Sequence, residues 1–209
     1  LYLNSNGAYR HMEVTQASIY LYAKGQADGK KPRSGGAVRI AHGVEDLDIE
    51  GCINESSSKI ISHMDYQPIE TGKYLVCFSP EAFLDLIGAF SNMFNARSIL
   101  DGVSLSTKET LGSQISVPFL SLADEALHPK NIGSFGFDGE GTPKKNINLI
   151  QNGRLTNLIH SEATARQFKV KPTGHGSLGS KASVSPDWFV INKTNSSTCK
   201  DNNLMVKNY

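Results

Sequence analysis

The hydrophobic positions of this chain change their period along the sequence, and each change predicts a different element. Across residues 8–43 apolar and polar residues alternate, most regularly at residues 18–23, and glycines interrupt the pattern. This arrangement predicts antiparallel strands joined by loops. Across residues 46–64 the apolar residues recur at helical spacing instead, and either Asp46 or Asp48 is suited to cap the start of the helix.

A second helix is predicted directly after a short apolar strand at residues 72–78. Ser79 is suited to cap this helix, and the fixed φ of Pro80 suits the first helical position. Glu81 places a negative charge near the positive end of the helix dipole. The apolar stripe predicted for the helix consists of Phe83, Leu86, Ile87, Phe90, Met93 and Phe94.

The second half of the chain is predicted to contain further strands. Residues 112–122 are typical of one strand, and residues 133–159 predict a strand, a glycine-rich turn and a hairpin. The turn of that hairpin is predicted at Asn152 and Gly153, because this dipeptide favours the positive φ values of a tight hairpin turn.

A short helix and a polar tail complete the predicted organisation. Ser161 is suited to cap a helix that ends near Phe168, whereas residues 195–209 are polar and aperiodic. We therefore predict an α+β fold, an antiparallel β-rich domain at residues 1–194 with a few packed helices, followed by a polar tail.

Composition excludes several classes of function. The chain has 209 residues and 39% hydrophobic content, which is enough to bury a core. Its net charge is +1 without a large cluster of basic residues, so direct contact with nucleic acid is not expected. No apolar run reaches membrane-spanning length. The three cysteines Cys52, Cys77 and Cys199 are far apart, which favours a reducing compartment and a cytoplasmic location over a disulfide framework.

Short motifs that match known sites lack the surroundings those sites require. Residues 174–179 match the GxGxxG pattern, but neither a strand before them nor a helix after them is predicted, so no dinucleotide cofactor is expected. Cys77 lies in a predicted buried strand, where a packing role is favoured over a nucleophilic one. The six histidines show no pair at the spacing of a metal-binding helix: His11, His42, His63, His128, His160 and His175.

The most unusual segment is the glycine-rich stretch at residues 133–143, which contains two acidic residues, Asp138 and Glu140. It is compatible with a simple loop whose glycines supply positive φ. It is equally compatible with a surface that meets a peptide or a partner protein through its carboxylates and exposed backbone.

The sequence FDGEGTP at residues 137–143 resembles the F-D-x-E-G-x-P signature of the TldD/PmbA family. The resemblance covers roughly residues 1–194. Family members are considerably longer, so the chain is expected to be a fragment that lacks an N-terminal domain and the C-terminal end. Further segments that are similar to family patterns lie at residues 4–7, 71–76, 149–155, 163–166 and 172–176.

The resemblance implies a role in a heterodimeric metalloprotease, whose catalytic TldD-like subunit carries an HExxxH helix. Transferred to this sequence, that motif falls on Pro80, Glu81 and Asp85, so only its glutamate is retained. The chain is therefore identified as similar to the non-catalytic TldE/PmbA-like subunit, with no metal, cofactor or catalytic residue of its own. The resemblance and the unusual segment together indicate these residues for peptide or partner contact: Phe137, Asp138, Glu140, Gly141, Arg166 and Gly174.

The partners implied by the resemblance are a TldD-like catalytic subunit and small or unfolded peptides, in peptide maturation or antitoxin degradation. In isolation the chain could form a homodimer. Two alternatives remain open at this point. One is a stand-alone metallopeptidase with an unrecognised set of metal ligands, and the other is a regulatory protein-binding module linked to DNA gyrase.

Overall fold

The computed structural model describes residues 1–65, 68, 70–74, 76, 78–179 and 183–193. The chain divides into two compact units, Leu1–Met12 with Leu75–Tyr209, and Glu13–Tyr74. Antiparallel strands and α-helices occur in both units, which confirms the predicted α+β class. The predicted boundary at residue 194 and the predicted polar tail lie outside the described residues. None of the helices within the described ranges is long and apolar enough to cross a membrane.

The elements are numbered in chain order. The strands are β1 (Tyr2–Leu3), β2 (Tyr9–Arg10), β3 (Ala17–Gly25), β4 (Arg33–Ala41), β5 (Leu120–Glu125), β6 (Asn146–Gln151), β7 (Arg154–Leu155), β8 (Gly176–Ser177), β9 (Ser183–Val184) and β10 (Phe189–Lys193). The α-helices are α1 (Ile49–Met64), α2 (Pro80–Ala89), α3 (Ala96–Leu100) and α4 (Glu162–Phe168). Short 3-10 segments lie at Val44–Asp46, Ser91–Phe94 and Lys108–Thr110.

The unit Glu13–Tyr74 is a two-stranded antiparallel sheet with one helix packed against it. Strands β3 and β4 pair along their whole length, and α1 contacts both. Helix and sheet approach closely at Gly35, where a Cβ atom would lie 3.0 Å from Cβ of Lys59. The helix begins as predicted, with Asp48 accepting a hydrogen bond from Gly51 N at 2.8 Å. The described Cys52 is a free thiol buried on this helix.

The larger unit is built on a four-stranded antiparallel sheet in the order β10-β5-β6-β7. The predicted hairpin is confirmed, because β6 and β7 are joined by Asn152 at φ 50° and Gly153 at φ 78°. Phe94 packs edge-on against Phe189 of β10 with ring centroids 6.0 Å apart. The buried core around this sheet comprises Phe94, Ala96, Leu122, Leu149, Ile150, Leu155, Leu158, Ile159 and Val184.

The strand predicted at residues 112–122 is largely wrong, since β5 begins only at Leu120. The preceding residues wrap around the hairpin turn instead, and Ile115 N and Ser116 N both donate to Gly153 O. The strand predicted near residue 133 is also wrong. Residues 133–145 contain no strand. Phe137 and Pro143 form only an isolated antiparallel bridge, and Gly141 between them has a positive φ.

The strand predicted at residues 72–78 is not observed at its described positions. Tyr74, Val76 and Phe78 belong to no strand and are exposed, so their side chains supply no buried face. Cys77, for which a buried packing role was predicted, lies outside the described residues, as does Leu75.

Helix α2 begins as predicted, but its apolar side chains are less buried than the predicted apolar stripe suggests. Ser79 Oγ accepts a hydrogen bond from Ala82 N at 3.2 Å, and Pro80 occupies the start of the first turn. The helix ends at Ala89, so Phe94 belongs to the following 3-10 segment and reaches the core from there. No residue of α2 is fully buried, and Phe90 directly after it remains exposed.

Candidate functional site

The residues 137–143, here called the acidic loop, are folded around the side chain of Asp138. Its Oδ1 accepts hydrogen bonds from Glu140 N and Thr142 N, both at 2.9 Å. Its Oδ2 accepts one from Gly176 N at 2.7 Å. Three N–H donors thus compensate a carboxylate that is only 6% exposed, so Asp138 orders the loop from within.

Two further acidic side chains tie the acidic loop to α4. Glu140 Oε2 accepts a hydrogen bond from Glu162 N at 2.8 Å, in the first turn of that helix. Glu162 Oε1 in turn accepts one from Thr142 Oγ1 at 3.0 Å. Ser161 caps the helix as predicted, accepting from Thr164 N at 3.3 Å. The loop and the helix start therefore hold each other in place.

Positive φ and close neighbouring atoms explain two of the glycines. Gly141 has φ 79°, and a Cβ atom there would lie 2.3 Å from the ring of Tyr2. Gly174 has φ 76°, and a Cβ atom there would lie 2.4 Å from Pro143 O. Gly174 is therefore buried beneath the acidic loop, where a larger residue would displace the loop.

An open groove of about 510 Å³ runs beside the acidic loop. It includes three of the six predicted contact residues, Glu140, Gly141 and Arg166, whereas Phe137, Asp138 and Gly174 do not line it. Phe137 is half-buried at the start of the loop. The lining residues are Tyr2, Asn4, Asn6, Ala8, Arg10, Glu140, Gly141, Thr142, Pro143, Glu162, Arg166 and Leu178.

The N-terminal turn between β1 and β2 contributes a wall of this groove that sequence reasoning did not select as a site. Asn4 organises the turn, because its Oδ1 accepts hydrogen bonds from Asn6 N at 3.0 Å and Ala8 N at 3.1 Å. Its Nδ2 donates to Tyr2 Oη at 3.1 Å. The similarity of residues 4–7 to the family pattern drew attention to this segment, but it did not indicate Arg10.

Behind the acidic loop lies a buried pair of ionisable residues, His175 and Asp124. Nε2 of His175 lies 3.3 Å from Asp124 Oδ2, and both side chains are fully buried. Asp124 accepts hydrogen bonds from Trp188 N at 2.7 Å and from Asp187 N at 2.9 Å. Burial raises the pKa of Asp124, but His175 and these two N–H groups outweigh it, so the pKa lies below its ordinary value.

A second buried histidine, His160, is linked to the first through Thr173. Thr173 Oγ1 accepts a hydrogen bond from His160 N at 2.7 Å and lies 2.8 Å from His175 Nδ1. The ring of His160 packs edge-on against Phe168, with centroids 5.1 Å apart. Burial, and to a lesser extent the charge of His175, lowers the pKa of His160 to about 4. His160 is therefore a neutral packing residue near pH 7.

The three positions of the degenerate metal motif lie elsewhere. Pro80, Glu81 and Asp85 are exposed on α2, and none of them lines the groove. Proline offers no side-chain donor to a metal, so the two imidazoles of a zinc-peptidase helix have no counterpart here. In the described part of the chain, no three His, Cys, Asp or Glu residues are grouped so that they could hold a metal ion. The residues present on α2 do not fit a zinc ion.

Comparison with known proteins places this fold among metallopeptidase relatives. A metalloprotease of Methanocaldococcus jannaschii is 25% identical over 184 residues, which cover 84% of this chain and 39% of that protein. The metalloprotease PmbA of Escherichia coli O157:H7 is 24% identical over 173 residues, covering 82% of this chain and 38% of that protein. The chain thus spans about two fifths of the length of these curated relatives.

Two solved structures share this fold. A protein of Thermotoga maritima described as a modulator of a DNA gyrase matches with a TM-score of 0.74 and 31% identity, over 87% of this chain and 41% of that one. TldE from Thermococcus kodakarensis matches in fold with a TM-score of 0.70 and 19% identity, over 94% of this chain and 45% of that one. The model of the PmbA/TldA metallopeptidase C-terminal domain matches residues 71–207. Because that match spans most of the sequence, the chain belongs to the PmbA/TldD family.

Proposed function

We propose that this chain is part of a TldE/PmbA-like subunit, the non-catalytic partner of a TldD-like subunit in a heterodimeric metalloprotease. The complex acts in the cytoplasm on small or unfolded peptides, as in peptide maturation or antitoxin degradation. Family membership supports the metallopeptidase context, and the fold likeness to TldE supports the choice of subunit.

The observation that carries the non-catalytic assignment is Pro80 at the first position of α2. A zinc-peptidase helix needs two imidazoles to hold the metal and a glutamate beside the first as general base. Here a proline and Asp85 stand at the two histidine positions of the motif. Glu81 and Asp85 alone are a poor zinc site, because imidazole or thiolate normally contributes to such sites.

In this proposal Glu81 stabilises helix α2 and takes no part in catalysis. It lies in the first turn of α2, where a carboxylate interacts favourably with the helix dipole. Ser79 and Pro80 start the same helix, so all three residues of this turn have a structural explanation.

The acidic loop and its groove are the proposed contact surface for peptide or partner. Glu140, Gly141 and Arg166 line the groove and would meet a bound molecule directly. Phe137, Asp138 and Gly174 would contribute indirectly, by fixing the course of the loop.

Reconstitution tests the proposal. The protein that contains this chain is purified alone and with a TldD-like subunit from the same source, and cleavage of an unstructured peptide is measured for each subunit and for the mixture. We expect co-purification, and cleavage by the mixture at a rate that exceeds the sum of the two separate rates. Zinc-dependent cleavage by this protein alone would overturn the proposal and favour a stand-alone metallopeptidase.

A second candidate function is favoured by the likeness to the Thermotoga maritima protein described as a modulator of a DNA gyrase. Under that alternative the chain is a regulatory module that binds gyrase protein and not DNA, since its net charge is only +1. Saturable binding to purified gyrase, with no binding to a TldD-like subunit, would favour this alternative.

A further inference from the structure

We propose that the groove beside the acidic loop binds a carboxylate group of a peptide through the guanidinium groups of Arg10 and Arg166. The inference rests on the proposed function only in taking the ligand to be a peptide. The groove, its charges and their partners are properties of the larger unit alone.

The first supporting observation is that neither arginine is neutralised. Within the described ranges, Arg10 and Arg166 have no acidic side chain within ion-pair distance. Arg10 donates from Nη1 to the adjacent Tyr9 O at 2.9 Å, which leaves most of its donors unused. Two other arginines do form ion pairs, Arg39 with Glu55 at 2.7 Å and Arg97 with Asp101 at 2.8 Å.

The second observation is that, among the described residues, Arg166 is unpaired although an acidic residue precedes it by one helical turn. Glu162 and Arg166 stand at positions i and i+4 of α4, a spacing that normally favours an ion pair. Glu162 instead accepts the hydroxyl hydrogen of Thr142 at 3.0 Å. The acidic loop thus holds one oxygen of Glu162, and within the described residues this carboxylate forms no ion pair with Arg166.

The other carboxylate of the groove is occupied in the same way. Glu140 accepts a hydrogen bond from Glu162 N at 2.8 Å, which fixes one of its oxygens at the start of α4. Two acidic groups are therefore held by donors of the protein itself. The two guanidinium groups of the same groove have no acidic partner in the part of the chain that the structure describes. Both guanidinium groups are therefore available to an anion from outside.

The shape of the groove and the chemistry of arginine select a carboxylate of a peptide. A planar guanidinium group matches the two oxygens of a carboxylate through parallel hydrogen bonds. A volume of about 510 Å³ lies in the range of small-ligand sites and accommodates a short stretch of peptide. The carboxylate comes either from the C-terminus of the peptide or from an acidic side chain.

The test is a binding titration with three fluorescent tetrapeptides of one sequence. One has a free C-terminal carboxylate, one has a C-terminal amide, and one has the amide together with an aspartate in place of its last residue. The protein is used as it is expressed, both alone and in complex with the TldD-like subunit. We expect the free acid to bind about tenfold more tightly than the neutral amide, since the amide lacks the negative charge and one of the two accepting oxygens.

The variants Arg166→Gln and Arg10→Gln should each weaken binding of the free acid towards that of the amide. Arg166→Lys should recover only part of the affinity, because it keeps the charge but loses the planar pair of donors. Lys171→Gln removes one exposed positive charge that does not line the groove, so it should bind like the unchanged protein. Equal melting temperatures for all four variants exclude unfolding as the cause.

Tight binding of the aspartate-containing amide would show that the groove recognises acidic side chains. Weak binding of this peptide, with tight binding of the free acid, would show that it recognises peptide C-termini. Equal affinity for acid and neutral amide, unchanged affinity in both arginine variants, or no saturable binding of any peptide would overturn the inference. If the protein binds peptides through their carboxylate but does not assemble with a TldD-like subunit, the proposed function is refuted and this inference stands. If the complex assembles and cleaves peptides, but the peptide carboxylate has no effect on binding, this inference is refuted and the proposed function stands.

Discussion

The carboxylate of Asp138 accepts a hydrogen bond from the backbone N–H of Gly176 at 2.7 Å and so joins the acidic loop to β8. The bond connects two segments that are distant in sequence. The same carboxylate also accepts two N–H groups within its own loop. Asp138 is therefore the point from which both the shape and the position of the loop are fixed.

Asp138→Asn should destabilise the protein. The asparagine amide keeps one accepting oxygen but turns an N–H₂ group towards backbone donors, which leaves buried donors without acceptors. We expect the free energy of unfolding to fall by about 2–3 kcal/mol, measured by denaturant titration. Asp85→Asn on the exposed face of α2 is the matched control and should change it by less than about 0.5 kcal/mol. Equal effects of the two substitutions would contradict this role of Asp138.

Gly153→Val should also destabilise the protein, because the hairpin turn requires positive φ at this position. Gly153 has φ 78°, and a Cβ atom would lie 2.5 Å from Ser116 O, a backbone atom with little freedom to move. We expect a loss of about 1–3 kcal/mol and a lower melting temperature. Gly133→Val is the control, since no atom lies within 4 Å of its Cβ position. An unchanged melting temperature for Gly153→Val would show that the turn tolerates a branched residue.

Stability should fall as the pH drops from about 6.5 to about 4, because of His160. Its pKa is lowered from 6.5 to about 4 in the folded protein, chiefly by burial. Between these values the unfolded chain binds a proton that the folded chain does not, so acid favours unfolding. The free energy of unfolding falls in total by an amount on the order of 3 kcal/mol, and the fall is complete below pH 4. Above pH 6.5 both states are neutral at this residue and the effect vanishes.

Denaturant titrations at several pH values measure this loss, and His160→Asn should remove most of it, because asparagine stays neutral throughout. The exposed His42→Asn should retain the loss. The lowered pKa of Asp124 contributes stability that is lost only at more acidic pH, below its ordinary value of 3.8, so it does not obscure the window of His160. A profile that is identical with and without His160 would refute the assignment.

The purified protein should contain no stoichiometric zinc after dialysis. The reason is the donor set on α2, where Pro80 and Asp85 stand at the two histidine positions of the motif. Elemental analysis measures the metal content directly. About one zinc per chain would contradict the non-catalytic assignment and require ligands that the HExxxH comparison does not reveal.

Features fixed by neighbouring residues could be predicted from the sequence. Ser79 and Ser161 cap their helices, and Asn152 with Gly153 forms the hairpin turn, because each signal acts within a few residues. The strand expected at residues 112–122 failed for the opposite reason. Its apolar residues are compatible with a strand. In the structure, however, Ile115 N and Ser116 N donate to Gly153 O, so this segment lies against the hairpin turn.

The groove could be predicted only in part. The acidic loop and Arg166 stood out through their similarity to the family pattern, and the structure brings Glu140, Gly141 and Arg166 to one groove. No local sequence pattern indicated Arg10. It lines the groove together with Tyr2, whose ring lies close to Gly141. Contacts between segments so distant in sequence leave no periodic pattern in either one.

The most direct test of the central claim is Glu81→Gln in the assembled complex with a TldD-like subunit. If α2 has a structural role, the complex should assemble and retain nearly all of its peptidase activity, with a loss of stability of about 0.3–1 kcal/mol at most. The equivalent Glu→Gln change in the HExxxH motif of the TldD-like subunit removes a general base and should slow cleavage by about a hundredfold or more. If Glu81→Gln abolished cleavage in a complex that remained folded and assembled, the non-catalytic account would be contradicted.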